Sequence, residues 1–141
     1  MGNICRSPLA EGIMRQLAKA QNLDWEIASA ATGPWHVGKS PDPRGIAIAR
    51  EKGYDISMQR ARIFASAFFD HYDHIYVMDK DNYTQVMRHA KNEAQIRKVS
   101  YFMPDFGEVI DPYHHDHLFE PVFDEIERRC KRLIKTIQED K

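Results

Sequence analysis

An arginine in a short polar run near the start of the chain and an aspartate in a proline-bearing stretch near its end are residue types suited to handling a phosphate group. The run reads Gly2, Asn3, Ile4, Cys5, Arg6, Ser7, Pro8. A loop of this kind that leads into a helix aims free backbone N–H groups at one point, and the helix dipole favours negative charge there. Arg6 adds a planar guanidinium that donates two parallel hydrogen bonds to phosphate oxygens and keeps its charge through any reaction. Far along the chain, Asp111 stands before Pro112 in an irregular stretch that also holds Pro104 and Gly107. Long irregular segments in compact domains often carry function, and a carboxyl group there is able to give and take a proton. Spacing alone leaves the ordinary alternatives open: a capped helix with a surface arginine, and an Asp-Pro turn.

Other clusters carry less. His114, His115 and His117 with Asp116 have metal-ligand chemistry but no metal-site spacing, so they read as exposed loop histidines and no metal or cofactor is expected. Asp79 begins what resembles a calcium loop, but Thr84 and Ala90 stand where that loop needs Gly and Glu, so Asp79 reads as a helix cap. Cys5 and Cys130 are too few and too far apart for a disulfide framework and are expected as reduced thiols.

These residues must be positioned by elements, and 141 residues allow one domain, residues 1–141. With 43% hydrophobic residues a true core is possible, and 20 Lys+Arg against 21 Asp+Glu lack the positive excess of a nucleic-acid binder. No stretch is long and apolar enough for a membrane span or laid out as a signal peptide, so the expectation is a cytoplasmic protein. Ser7 and Pro8 suit the start of a helix that runs to about Ala20, with Leu9, Ile13 and Leu17 facing inward. Strands are expected over residues 25–31, 74–78 and 97–102, and helices over 43–52, one or two turns of 65–69, and 79–90. Phe119, Phe123, Ile126, Cys130, Leu133 and Ile137 trace a final amphipathic helix with Cys130 in the core. Helices alternating with short apolar strands imply an α/β fold, an open, mostly parallel sheet with helices on both faces.

The opening run, with Met1, resembles the phosphate-binding loop of the low-molecular-weight protein tyrosine phosphatases, whose signature is Cys-x-x-x-x-x-Arg-Ser. Further matches follow in order: Ser29-Ala30-Ala31-Thr32-Gly33, Trp35, Asp42-Pro43-Arg44, Met78-Asp79 with Asn82, and Asp111-Pro112-Tyr113. The resemblance implies a three-layer α/β fold with a four-stranded sheet of order 2-1-3-4, and hydrolysis of phosphotyrosine through a phosphocysteine. It implies phosphate binding by the backbone of Gly2, Asn3, Ile4, Cys5, Arg6 and Ser7, with Arg6 and Asp111 as catalytic residues and Asp111 as acid and base. Ser7, Asn3 and Ser29 would support, while Trp35 and Tyr113 would flank the substrate ring. His114 replaces a second tyrosine of some relatives. Expected ligands are a phosphotyrosine protein or small aryl phosphate, and inorganic phosphate or sulfate.

One part is missing. The family nucleophile would lie six positions before Arg6, ahead of Met1, and with it the central first strand. Cys5, adjoining Arg6, does not replace it. The chain as given is therefore expected to be inactive or nearly so, its start reflecting an internal Met or a cut. Its sheet is expected to compensate by pairing residues 25–31 with 74–78 or by strand exchange between chains. A non-catalytic phosphate binder is the alternative, and a thiol-dependent arsenate reductase, which needs further redox cysteines, comes third.

Overall fold

Apolar stripes at helical spacing decide what this chain buries. The computed structural model describes residues 4–103 and 107–139. In α1 (Arg6–Ala20) Leu9, Ile13, Met14 and Ala18 are buried along one side. In α6 (Phe119–Glu139) Phe119, Val122, Phe123, Ile126, Cys130, Leu133 and Ile134 form a longer stripe. The two stripes pack on each other and make the main core, joined by Ile56, Phe102 and Val109. Cys130 lies fully inside, as its place on the stripe implies.

Between these helices run α2 (Pro43–Glu51), α3 (Phe68–His71), β1 (Ile75–Val77), α4 (Lys80–Met87), α5 (Glu93–Arg97), β2 (Val99–Tyr101) and a 3-10 turn (Asp116–Leu118). β1 and β2 pair in parallel, Ile75 with Val99 and Val77 with Tyr101, with α4 and α5 in the crossover. Side chains alternate across this small sheet. Tyr76, Met78 and Phe102 point to the α1–α6 core, whereas Ile75, Val77, Val99 and Tyr101 meet a second cluster built on Phe64, Phe69 and Val86. The result is an α/β layering around a small parallel sheet, as the sequence leads one to expect.

Three details differ. Residues 25–31 are extended but form no strand; only Ala31 bridges Ile63, in parallel. A strand needs a ladder partner about 4.8 Å away, and a cleft of about 480 Å³ lies between this segment and β1, so the expected pairing with residues 74–78 does not form either. Second, α1 starts at Arg6, two residues earlier than a cap at Ser7 implies, and Cys5 at its cap position makes no side-chain cap bond. Ser7 is therefore not the cap but part of the first turn. Third, the turns expected at 65–69 wind at Phe68–His71, and α5, short and capped by Asn92, was not anticipated.

Gly12 tests the packing of α1. A Cβ there would run into Cγ2 of Ile56, a β-branched side chain only 1% exposed, and would lie 3.2 Å from Gln59 Nε2. Alanine gains up to about 1 kcal/mol in helix propensity, but overpacking a stiff neighbour costs about 1–3 kcal/mol. Gly12→Ala is expected to lower stability by about 1–2 kcal/mol in urea unfolding; a neutral or stabilised variant would contradict this packing.

Candidate active site

The site is organised by a buried cation. Arg6, 5% exposed, sits in the first turn of α1 and turns its guanidinium inward. Its Nη1 donates to Asp79 Oδ2 at 2.8 Å and to the Val109 carbonyl at 2.8 Å, while Nη2 faces Asp111 Oδ2 at 3.9 Å. Buried charge must be paired and hydrogen-bonded to be tolerated, so one side chain draws three distant stretches together. Asp79 follows β1 and caps α4, accepting from the Asn82 N–H at 2.8 Å. Val109 is itself pinned, its N–H donating to the Met78 carbonyl at 2.8 Å.

Asp111 stands two residues beyond that pin, exposed, with its Oδ1 accepting from the Tyr113 N–H. Its gap to Arg6 is too long for a hydrogen bond. Groups 3.9 Å apart can both reach a single oxygen at about 2.8 Å from each. The arrangement thus sets a permanent cation and a carboxyl group 3.9 Å apart.

A second arginine holds the loop. Arg44 donates from Nε and Nη2 to both oxygens of Asp42 and from Nη2 to the Tyr113 carbonyl at 2.8 Å, and its Nη1 pairs with Asp116. The guanidinium lies over the rings of Phe119 and Tyr113. Asp42, the buried cap of α2, donates its own N–H to the Ile4 carbonyl at 2.7 Å. Arg44 therefore ties the loop of Asp111 to the loop that precedes Arg6.

The other sequence candidates fall around this centre. Gly2 and Asn3 lie outside the described residues. Ile4 anchors Asp42 as above, and Ser7 is half-buried at the rim of the cleft beside β1. Ser29 donates to Glu11 Oε1 at 2.6 Å, giving it a partner on α1. Trp35 is 64% exposed, its ring lying against Gly33, while Tyr113 is on the far loop, 6.3 Å ring to ring from His36. His114, His115 and His117 are exposed. Cys5 is buried, and desolvation, then the Asp111 and Asp42 carboxylates, push its thiol up to about 12. It is a thiol, not a thiolate, at neutral pH.

Asp79, Val109 and Arg44 with Asp116 are the working parts that residue types did not announce. Asp79 read as a cap and is one; its second role follows from its place just past the carboxyl end of β1, where open α/β sheets gather their ligand groups. No sequence signal marks a main-chain carbonyl such as that of Val109.

Comparison with known proteins gives the family. The family model "Low molecular weight phosphotyrosine protein phosphatase" matches residues 1–141. The low molecular weight phosphotyrosine protein phosphatase of Sus scrofa is 35% identical over 98% of this chain and 92% of its own length. Among solved structures, a protein tyrosine phosphatase of Entamoeba histolytica with Hepes in its active site superposes with a TM-score of 0.90 at 30% identity, covering 99% of this chain and 94% of that one. The tyrosine phosphatase Wzb of Escherichia coli K30, in complex with sulphate, superposes at 0.83 with 31% identity, covering 97% and 93%.

Two outcomes check the electrostatics. Burial pushes the Asp79 carboxyl up, but the Asn82 N–H and the Arg6 guanidinium outweigh it and hold it below the usual carboxylate range. A depressed folded pKa contributes stability above the unfolded value of about 4 that is lost as pH falls through the lower folded value. Asp79→Asn should cost about 2–4 kcal/mol at pH 7, the lower end reflecting partial exposure of Asp79 and the nearby Asp111, and should flatten the acid side of a stability-against-pH curve. Cys5, with its thiol near 12, should react with iodoacetamide at pH 7 at least about a hundredfold more slowly than free cysteine, as followed by mass spectrometry.

Proposed function

Because this chain belongs to the low molecular weight phosphotyrosine protein phosphatase family, we propose that its site takes the phosphate of a phosphotyrosine side chain or small aryl phosphate, with Arg6 on the phosphate oxygens and Asp111 at the leaving oxygen. The observation that carries this reading is the approach of Arg6 Nη2 to Asp111 Oδ2 at 3.9 Å. A guanidinium neutralises equatorial oxygens in the transition state, and a carboxylic acid gives its proton to the departing phenolate and then accepts one from water. The cap position of α1, without a side-chain cap bond, supports backbone N–H donation to the same anion. Sulphate in Wzb and Hepes in the Entamoeba enzyme are ligands of a kind with this chemistry. The exposed aromatic residues Trp35 and Tyr113 are proposed as walls for the substrate ring, and Ser7 and Ser29 as supports. Gly2 and Asn3 would add to the loop as the family pattern has it.

A phosphotyrosine protein is the proposed substrate, the cytoplasm the proposed compartment, in keeping with two buried free thiols and with no helix among the described residues long and apolar enough to cross a membrane. One observation favours a second reading, a phosphate-binding protein without turnover. The Cys5 thiol beside Arg6 is buried and held near 12, so it is no nucleophile at neutral pH.

Calorimetric titration with benzylphosphonate, run beside p-nitrophenyl phosphate hydrolysis, tests both. Binding is expected for the chain, at least about tenfold weaker for Arg6→Lys, which loses the fork, and equal or tighter for Asp111→Asn, which removes a carboxylate from beside the anion. Hydrolysis by the chain would favour the phosphatase reading, and binding without it the second. Turnover abolished by Cys5→Ser would overturn the assignment of Cys5, and binding indifferent to Arg6 would overturn the site.

A further inference from the structure

Exposed apolar side chains are not spread evenly over this molecule. Of the seven large ones exposed among the described residues, four stand on the two loops at the anion site, Trp35 and Val37 on one and Ile110 and Tyr113 on the other. Single exposed apolar residues are ordinary, but a group of them at the edge of a site marks a contact surface. The two loops adjoin each other, with the His36 ring 6.3 Å from that of Tyr113. The Tyr113 N–H in turn donates to Asp111, and Asp111 faces Arg6. Val37 follows His36 and Ile110 precedes Asp111, so each is the apolar neighbour of a residue in this chain of contacts.

Both loops are anchored. The Val37 N–H donates to the Pro34 carbonyl and the Lys39 N–H to that of His36, while the Gly38 N–H donates to the Ala61 carbonyl. Gly38 has a φ of 83°, a left-handed conformation that glycine adopts at no steric cost. In the other loop Val109 and Pro112 are buried, and the Val109 N–H is held by the Met78 carbonyl. Ile110 is nevertheless 62% exposed, and Val37 51%. Apolar side chains held out on an anchored backbone lose little freedom when they are covered. Charge around them is mixed, Glu108, Asp111 and Asp116 against Lys39 and Arg44, with Asp116 and Arg44 paired to each other. Apolar contact is therefore the selective property of this rim.

We propose that Val37 and Ile110 select the residues next to phosphotyrosine in the substrate, favouring large apolar side chains over polar ones of the same size. The inference rests on the phosphotyrosine reading of the site, because a chain whose phosphate sits on Arg6 must carry its neighbouring residues across the rim around Asp111. Covering Val37 and Ile110 with an apolar side chain removes apolar surface from water on both partners, whereas a polar side chain laid there loses water and gains no partner from either residue.

Two five-residue peptides with a phosphonate analogue of phosphotyrosine at the centre test it, one with leucine on both sides and one with asparagine, which is similar in shape. Fluorescence anisotropy should show the leucine peptide binding at least about fivefold tighter. Val37→Ser with Ile110→Ser, both exposed positions, should bring that ratio to within about twofold. Benzylphosphonate binding by the unsubstituted chain separates the two readings. Without it both fall; with it, equal affinity for the two peptides or a ratio unchanged in the double variant overturns the selectivity alone. Sedimentation should show a monomer over the same concentrations, and a dimer that the double substitution disrupts would assign the rim to a second copy and overturn the proposal as well.

Discussion

Everything at this site depends on one buried guanidinium. A charge taken from water is tolerated only when acceptors surround it, and Arg6 finds them in Asp79, 73 positions away, and in the Val109 carbonyl, 103 positions away. The same contacts that make the cation tolerable in the interior fix the start of α1, the end of β1 and the loop of Asp111 relative to one another. Phosphate chemistry then needs little more than this geometry, because positioning and charge neutralisation carry most of the transition-state stabilisation in phosphoryl transfer.

Around that cation the fold is supported unevenly. The α1–α6 stripe provides a deep apolar contact, while the sheet among the described residues is only two short parallel strands. An extended segment with one bridge, a cleft beside it and a hydrophobic cluster on either side leave the layered architecture recognisable among the described residues. Side-chain burial, rather than sheet hydrogen bonding, keeps residues 23–30 extended. Leu23, Trp25 and Ile27 are held by the core they pack against, and the Ile27 and Ser29 carbonyls are satisfied by arginine side chains.

Arg44 shows how a loop is made dependable. The loop of residues 111–117 has exposed residues and no regular structure before its 3-10 turn, so its place is set by contacts made from outside it. The Arg44 fork joins Asp42, Asp116 and the Tyr113 carbonyl and stacks on two rings. Geometry of that kind requires a planar five-donor group. Its consequence is that Asp111 faces Arg6 from a loop otherwise free to vary.

Local periodicity and residue chemistry were enough to place α1, α2 and α6, the core position of Cys130 and the cap at Asp79. In each, the decisive forces act within a few residues or through an unmistakable side-chain type. The resemblance in motif order extended that reading to the family. What tertiary structure alone decided depended on partners distant in sequence. Residues 25–31 have strand composition yet no ladder, because a ladder exists only when another strand lies alongside. Asp79 became the counter-ion of Arg6, Cys5 became a buried protonated thiol and Arg44 became a clamp for the same reason: burial and charge environment belong to the folded neighbourhood, not to the residue.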